Sequence, residues 1–291
     1  MSRARLLLLA SRPLSWVNTA YPFAAAFILA TPHWDARSIA TAVIGSAFFL
    51  VPYNLLMYGI NDVFDYESDL RNPRKGGAEG ALLPPAMHRV TLIASTALAL
   101  PFVVALVLLG GPWSWLVLAV SLFAVVAYSA PVLRFKERPV LDSVTSSIHF
   151  ASPAIYGLVL AGAAFTPQLI ALLAAFFLWG MASHAFGAVQ DVPADRAAGI
   201  ASIATVFGAR LTVRIAIALW SAAGVLMLCT DWPGPLGAAL VLPYVIAVAP
   251  FASIADADAE RANRGWRRFL WINYVVGFLA TMLFIWSAAL R

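Results

Sequence analysis

Charge is what this sequence has least of. Only 11% of its 291 residues are Asp, Glu, Lys or Arg, where a soluble domain carries about a quarter. Lysine is nearly missing: Lys75 and Lys136 are the only two, and both fall in loop-like stretches. Cysteine is rarer still. The lone Cys229 excludes an internal disulfide, and nothing beside it resembles a metal ligand set, so packing accounts for it. The start of the chain lacks the long apolar core of a signal peptide. Arg3 and Arg5 precede only the short run Leu6 to Ala10, followed by Ser11-Arg12-Pro13, which reads as a cytoplasmic stub.

What fills the sequence instead is apolar. Hydrophobic residues make up 62%, and the mean hydropathy is +0.84. That is more apolar surface than one globular core can bury, so lipid must cover much of it. In lipid only helices and closed barrels satisfy their backbone polar groups. The runs are continuous rather than alternating, which selects helices. A net charge of +5 often hints at nucleic acid. Here the basic residues flank apolar spans, which is a topology signal and argues against a nucleic-acid partner.

The pattern predicts an all-α membrane protein with nine spans, near 14–31, 38–60, 88–109, 113–130, 140–163, 167–189, 208–229, 234–254 and 268–289. Turn signals separate them at Thr31-Pro32, Gly110-Gly111-Pro112, Thr166-Pro167 and Trp232-Pro233-Gly234-Pro235. With the N-terminus inside, 17 of the 19 basic residues fall on the inner side, leaving Arg37 and Arg291 outside. The acids are lopsided too, with only Asp35 and Asp231 in outer loops. The expectation is a cell-membrane protein, one polytopic domain over 1–291, with its polar chemistry on the cytoplasmic face.

Two inner loops concentrate the acids. The first reads Asn61-Asp62-Val63-Phe64-Asp65-Tyr66-Glu67-Ser68-Asp69. If the second span continues as helix through it, Asp62, Asp65 and Asp69 share one face. Adjacent carboxylates repel unless a cation sits among them. Magnesium suits such a set, because it takes one or two carboxylates and completes its shell with substrate phosphate oxygens. The basic, Gly-rich stretch beginning at Arg71 follows directly and can meet phosphate. The second acidic loop reads Gln190-Asp191-Val192-Pro193-Ala194-Asp195-Arg196, with Pro193 in a first turn or at a kink. Between them lies a basic loop holding Arg134, Lys136 and Arg138. Any one of these segments alone would be an ordinary solvated face. Their coincidence on one side of the membrane describes a site for diphosphate bridged by magnesium.

These residues resemble a known family. NDVFDYESD and DVPAD are similar to the two aspartate-rich motifs of the UbiA-type intramembrane prenyltransferases, and YSAPVLRFKERP to the loop between them. The resemblance covers essentially the whole chain. It implies nine helices around a central cavity, Mg2+ as cofactor, and a prenyl diphosphate as donor. It implies Asn61, Asp62, Asp65, Asp69, Asp191 and Asp195 as metal-site residues, with Asp62, Asp65, Asp191 and Asp195 essential to catalysis. Arg71, Arg134 and Lys136 become diphosphate contacts. Within the family, NDVFDYESDLRNPRKGGAEGALLPP and SHAFGAVQDVPADRAAGIASIATVFGAR look most like lycopene elongases. Those enzymes join five-carbon units from dimethylallyl diphosphate to lycopene.

Candidates for the acceptor or cation pocket are Asn54, one heptad before Asn61, Tyr58, Tyr128 and His184, two turns before Asp191. Other acceptors fit the same chemistry: an aromatic quinone precursor, a porphyrin or a glycerol phosphate. From another class, a secondary transporter places acids near the midplane on repeat-related broken helices. Here the acids lie at span ends, and no repeat is evident.

Overall fold

The computed structural model describes residues 2–70 and 82–290, with Ser68 and Asp69 described by backbone only. Among the described residues there is no strand. The described residues form thirteen α-helices in this order: α1 Arg3–Ala10, α2 Val17–Ala30, α3 Ala36–Leu50, α4 Pro52–Phe64, α5 Tyr66–Asp69, α6 Pro85–Leu109 and α7 Pro112–Ser129; then α8 Leu141–Leu160, α9 Pro167–Val189, α10 Val192–Ala197, α11 Ile203–Met227, α12 Leu242–Val248 and α13 Asn263–Ala289. Among the described residues, seven helical stretches are long and apolar enough to cross a bilayer. The expected first and fifth spans fall on shorter or more polar helices. Helix α2 has 14 residues, and α8 carries Asp142, Ser143, Thr145, Ser146, Ser147 and His149 in its first half.

Proline sets most helix boundaries. Pro85, Pro112 and Pro167 stand in the first turns of α6, α7 and α9, where their missing N–H is an orphan anyway. Pro52 splits the expected second span: α3 stops, Val51 turns to φ −118°, ψ −57°, and α4 starts afresh. Asn54 repairs the break. Its Nδ2 donates to the carbonyls of Phe49 (2.8 Å) and Leu50 (3.1 Å) and to Thr19 Oγ1 (2.7 Å). The expected eighth span is likewise interrupted, as 3-10 turn, short helix and 3-10 turn over residues 234–251, with Pro235, Pro243 and Pro250 within it.

The chain divides into two compact units. Met1–Phe135 and Ile148–Ala163 make the first; Lys136–Ser147 and Ala164–Arg291 make the second. The first unit is cored by Phe23, Phe27, Phe48, Phe49, Tyr53 and Tyr156. Helix α8 reaches α2 closely there, because a Cβ on Gly157 would press on the Phe23 carbonyl, the small-residue contact expected between membrane helices. The second unit packs Phe186, Trp220, Tyr244 and Phe269 around α9 and α11, with Trp220 and Tyr244 stacked at 5.5 Å between ring centroids.

Candidate functional site

In the first unit, the acidic motif sits where α4 runs out. Asp62 lies in its last turn and Asp65 is its C-cap at φ −103°, ψ 3°. Helix therefore does not continue unbroken to Asp69, and the shared-face argument holds for Asp62 and Asp65 alone. Asp69 ends the separate turn α5, with its side chain outside the described residues; Arg71 lies outside them altogether.

Both described acids are buried, Asp62 at 1% and Asp65 at 3% exposure. A buried carboxylate is tolerated only with a partner. Arg12 Nη2 donates to Asp62 Oδ1 at 2.9 Å, and Arg134 Nη2 approaches Asp65 Oδ1 at 3.6 Å. Arg12 also lies over the Tyr58 ring, 4.1 Å from its centroid. Ser129 Oγ stands 2.9 Å from Asn61 Oδ1 and 3.2 Å from Asp65 Oδ2, so its single proton is shared between them. Each of the two arginines holds a left-handed backbone, φ 50° at Arg12 and φ 39° at Arg134. Such a conformation costs about 1–3 kcal/mol without glycine and clusters at functional sites. Locally, Trp16 Nε1 pins the Arg12 turn by donating to Ser11 O at 3.0 Å.

The donor set fits a magnesium diphosphate. Asn61, Asp62, Asp65 and Ser129 offer only hard oxygens, and the two guanidinium groups match phosphate oxygens in charge and fork geometry. Among the described residues no group of three metal-ligating acids, histidines or cysteines occurs, so this unit's described portion presents a pair of carboxylates.

In the second unit, α9 stops at Val189 and Asp191 becomes the N-cap residue of α10, with Pro193 in the first turn. That selects the first-turn reading of Pro193. Asp195 follows within α10, and its N–H donates to Asp191 O at 2.8 Å. Both acids are half-buried. Gln190 is held on both sides: Nδ2 of Asn263 donates to its Oε1 at 2.5 Å, and its own Nε2 donates to Gly187 O at 2.9 Å.

His184 faces an acid the sequence reading did not single out. Its Nε2 is 3.8 Å from Oδ2 of Asp142, which is fully buried. Asp142 also accepts the Ile203 N–H at 2.7 Å and the Ser143 N–H at 2.6 Å. An acid inside an expected span was the available signal for it. Tyr128 meets His149 edge to face at 5.5 Å, and Lys136 sits half-buried in the 3-10 turn Phe135–Glu137. Arg12 was counted only as a topology charge, since nothing local ties it to an aspartate fifty residues away.

Residues 19–275 match the UbiA prenyltransferase family. A C(50) beta-cyclic carotenoids biosynthesis protein of Dietzia sp. is 57% identical across 95% of this chain, which spans only 63% of that relative. A lycopene elongase/hydratase of Corynebacterium glutamicum is 51% identical over 98% of both chains. Among solved structures, a UbiA homolog from Archaeoglobus fulgidus bound to DMAPP and Mg2+ has a similar fold. Its TM-score is 0.67 at 20% identity, covering 93% of this chain and 98% of that one.

Proposed function

Because the chain belongs to the UbiA prenyltransferase family and is a prenyltransferase, we propose that it transfers the dimethylallyl group of dimethylallyl diphosphate to lycopene. The observation that carries the reading is the buried pair Asp62 and Asp65, each beside an arginine from a different loop. Hard oxygens with flanking guanidinium groups at the end of an apolar helix suit a magnesium diphosphate whose prenyl tail stays in lipid. The sequence relatives named for lycopene elongation support the acceptor, and the archaeal neighbour's ligands support the donor.

Asn61, Asp62, Asp65 and Asp69, with Asp191 and Asp195, hold the metal in this reading. When bound, magnesium supplies Lewis-acid neutralisation of the diphosphate leaving group. Arg134, Lys136 and Arg71 meet its oxygens, and Arg12 joins them on the geometry above. The allylic C–O bond breaks, diphosphate departs, and a new C–C bond forms to a terminal acceptor double bond. The resulting cation then loses a proton or captures water. In the same reading Tyr128 and His184 serve the prenyl cation and acceptor. Tyr58 acts through Arg12, and Asn54 through the kink that aims α4. The proposal further takes 1–291 as one nine-span domain of the cell membrane, N-terminus and site on the cytoplasmic side, supported by the one-sided distribution of basic residues.

The test incubates membranes holding the protein with dimethylallyl diphosphate, Mg2+ and lycopene, and weighs the pigments by mass spectrometry. Products heavier by one and two five-carbon units are expected, and they should vanish when Mg2+ is chelated or with Asp62→Ala or Asp191→Ala. Product persisting in either variant at wild-type membrane abundance refutes the site. Unchanged lycopene alongside a prenylated aromatic acid moves the assignment to another acceptor.

A further inference from the structure

Helix α11 is broken at Gly208, where φ is 79° and ψ is 159°. In an unbroken helix the Ala209 N–H would donate to the Thr205 carbonyl. Here the two groups are parted, and side chains replace each missing half of the bond. Asp256 Oδ1 accepts the Ala209 N–H at 2.7 Å. Arg196 donates to the Thr205 carbonyl through Nε at 3.2 Å and Nη2 at 2.8 Å. The two side chains then meet each other, Arg196 Nη1 to Asp256 Oδ2, at 2.6 Å. An ion pair is thus spliced into one backbone hydrogen bond.

The splice joins three segments of the second unit: α10 with the DVPAD motif, the break in α11, and the 3-10 turn Asp256–Ala262. Arg196 directly follows Asp195. The return from α10 is fixed from two more sides. The Ile200 N–H donates to Asp195 O at 2.8 Å, and Asp142 Oδ2 accepts the Ile203 N–H at 2.7 Å. Position 208 admits no side chain without strain, since its φ is left-handed and a Cβ there would stand 3.2 Å and 3.3 Å from the Asp256 oxygens.

Stability alone does not explain this construction. The pair is largely exposed, 44% at Arg196 and 38% at Asp256, and exposed pairs stabilise little. A continuous helix would satisfy the same two backbone groups with neither side chain. What the break adds is a fixed link from Arg196 to a turn 60 residues further on. We propose that Arg196 and Asp256 are positioning residues that set Asp191 and Asp195 for metal binding. The inference rests on the reading of those two aspartates as magnesium ligands.

The test uses purified full-length protein and Mn2+ alone as probe, with free Mn2+ followed by electron paramagnetic resonance. Asp256→Ala should weaken Mn2+ binding about ten- to a hundredfold, the usual cost of losing a residue that orients a ligand. Gly208→Ala should do likewise, and the double variant should be no worse than either single one, because both open the same splice. Asp256→Asn retains an oxygen for the Ala209 N–H and should lose less, which keeps the test usable if Asp256→Ala does not fold. In metal-free protein, amide exchange across residues 203–212 should quicken in Asp256→Ala. A lower melting temperature with Mn2+ binding within about twofold of wild type would overturn the proposal, provided Asp191→Asn has lost binding. If Asp191→Asn also binds Mn2+ normally, the ligand assignment is wrong and the positioning role falls with it.

Discussion

Arg12 reaches Asp62 at 2.9 Å and Arg196 reaches Asp256 at 2.6 Å, yet the longer contact is the one the protein can less afford to lose. The Asp62 side chain is fully buried and Arg12 is 15% exposed, whereas both members of the other pair stand well into solvent. Removing one partner from a buried pair leaves an uncompensated charge; removing one from an exposed pair hands the other to water. Burial, not distance, should therefore rank the two pairs. The acidic motif of the first unit is held by cationic side chains. Around that of the second unit, the turn after α10 is tied by backbone hydrogen bonds and by the exposed Arg196–Asp256 pair.

The comparison breaks first at Arg12. Arg12→Ala should cost up to about 3–5 kcal/mol of stability, because it removes a buried partner of the buried Asp62 carboxylate, read as a large fall in melting temperature in detergent. Arg12→Ala with Asp62→Asn together should recover part of that loss, because the buried carboxylate goes with its guanidinium partner. Failure of the second change to recover stability would mean the pair is not what holds this corner. Asp142→Asn should cost less, about 1.5–3 kcal/mol, the scale of hydrogen bonds to a charged group, since it weakens acceptance from the Ile203 and Ser143 amides. A loss as large as that of Arg12→Ala would show that the second unit also depends on buried charge.

How far the sequence could be read follows the same division between local and distant. Helix ends punctuated by proline and glycine were legible: the span expected at 167–189 is α9, and those at 88–109 and 113–130 match α6 and α7 within three residues. Local residue chemistry decides those ends. Interior breaks were harder. Hydropathy ran straight through Pro52, because a kink changes backbone direction without changing apolar character, and it started the seventh span at Gly208, where α11 in fact breaks after beginning at Ile203. The motifs themselves were visible as acid spacing, but their partners were not. Arg12 lies 50 residues before Asp62, and Asp256 lies 60 residues after Arg196. No local pattern encodes such pairs. The family resemblance implied Arg134 as a diphosphate contact, whereas its place beside Asp65 is a tertiary contact that no local pattern announces.

Smaller effects sharpen the contrast. Ser129→Ala removes one hydroxyl shared between Asn61 and Asp65 and should cost about 1 kcal/mol, the net worth of an ordinary hydrogen bond. Because Asp65 retains Arg134, the variant should keep its metal dependence. A collapse of stability would place more weight on the hydroxyl than one shared proton can carry.

The smallest expected effect is the one that separates the two pairs most cleanly. Salt screens exposed charges over about 8 Å at physiological ionic strength and leaves buried pairs nearly untouched. The Coulombic part of Arg196–Asp256 should therefore be about 0–1 kcal/mol in low salt and fade as salt rises. The Arg12–Asp62 contribution should persist. Double-mutant cycles on each pair, measured by thermal unfolding at low and high salt, give the two coupling energies directly. What survives salt at Arg196–Asp256 is the part due to the Thr205 carbonyl and the Ala209 amide, since backbone hydrogen bonds are not screened in the same way. Equal salt sensitivity of the two cycles would mean that Arg12 and Asp62 are reached by water and ions, and the distinction between a buried and an exposed pair would go.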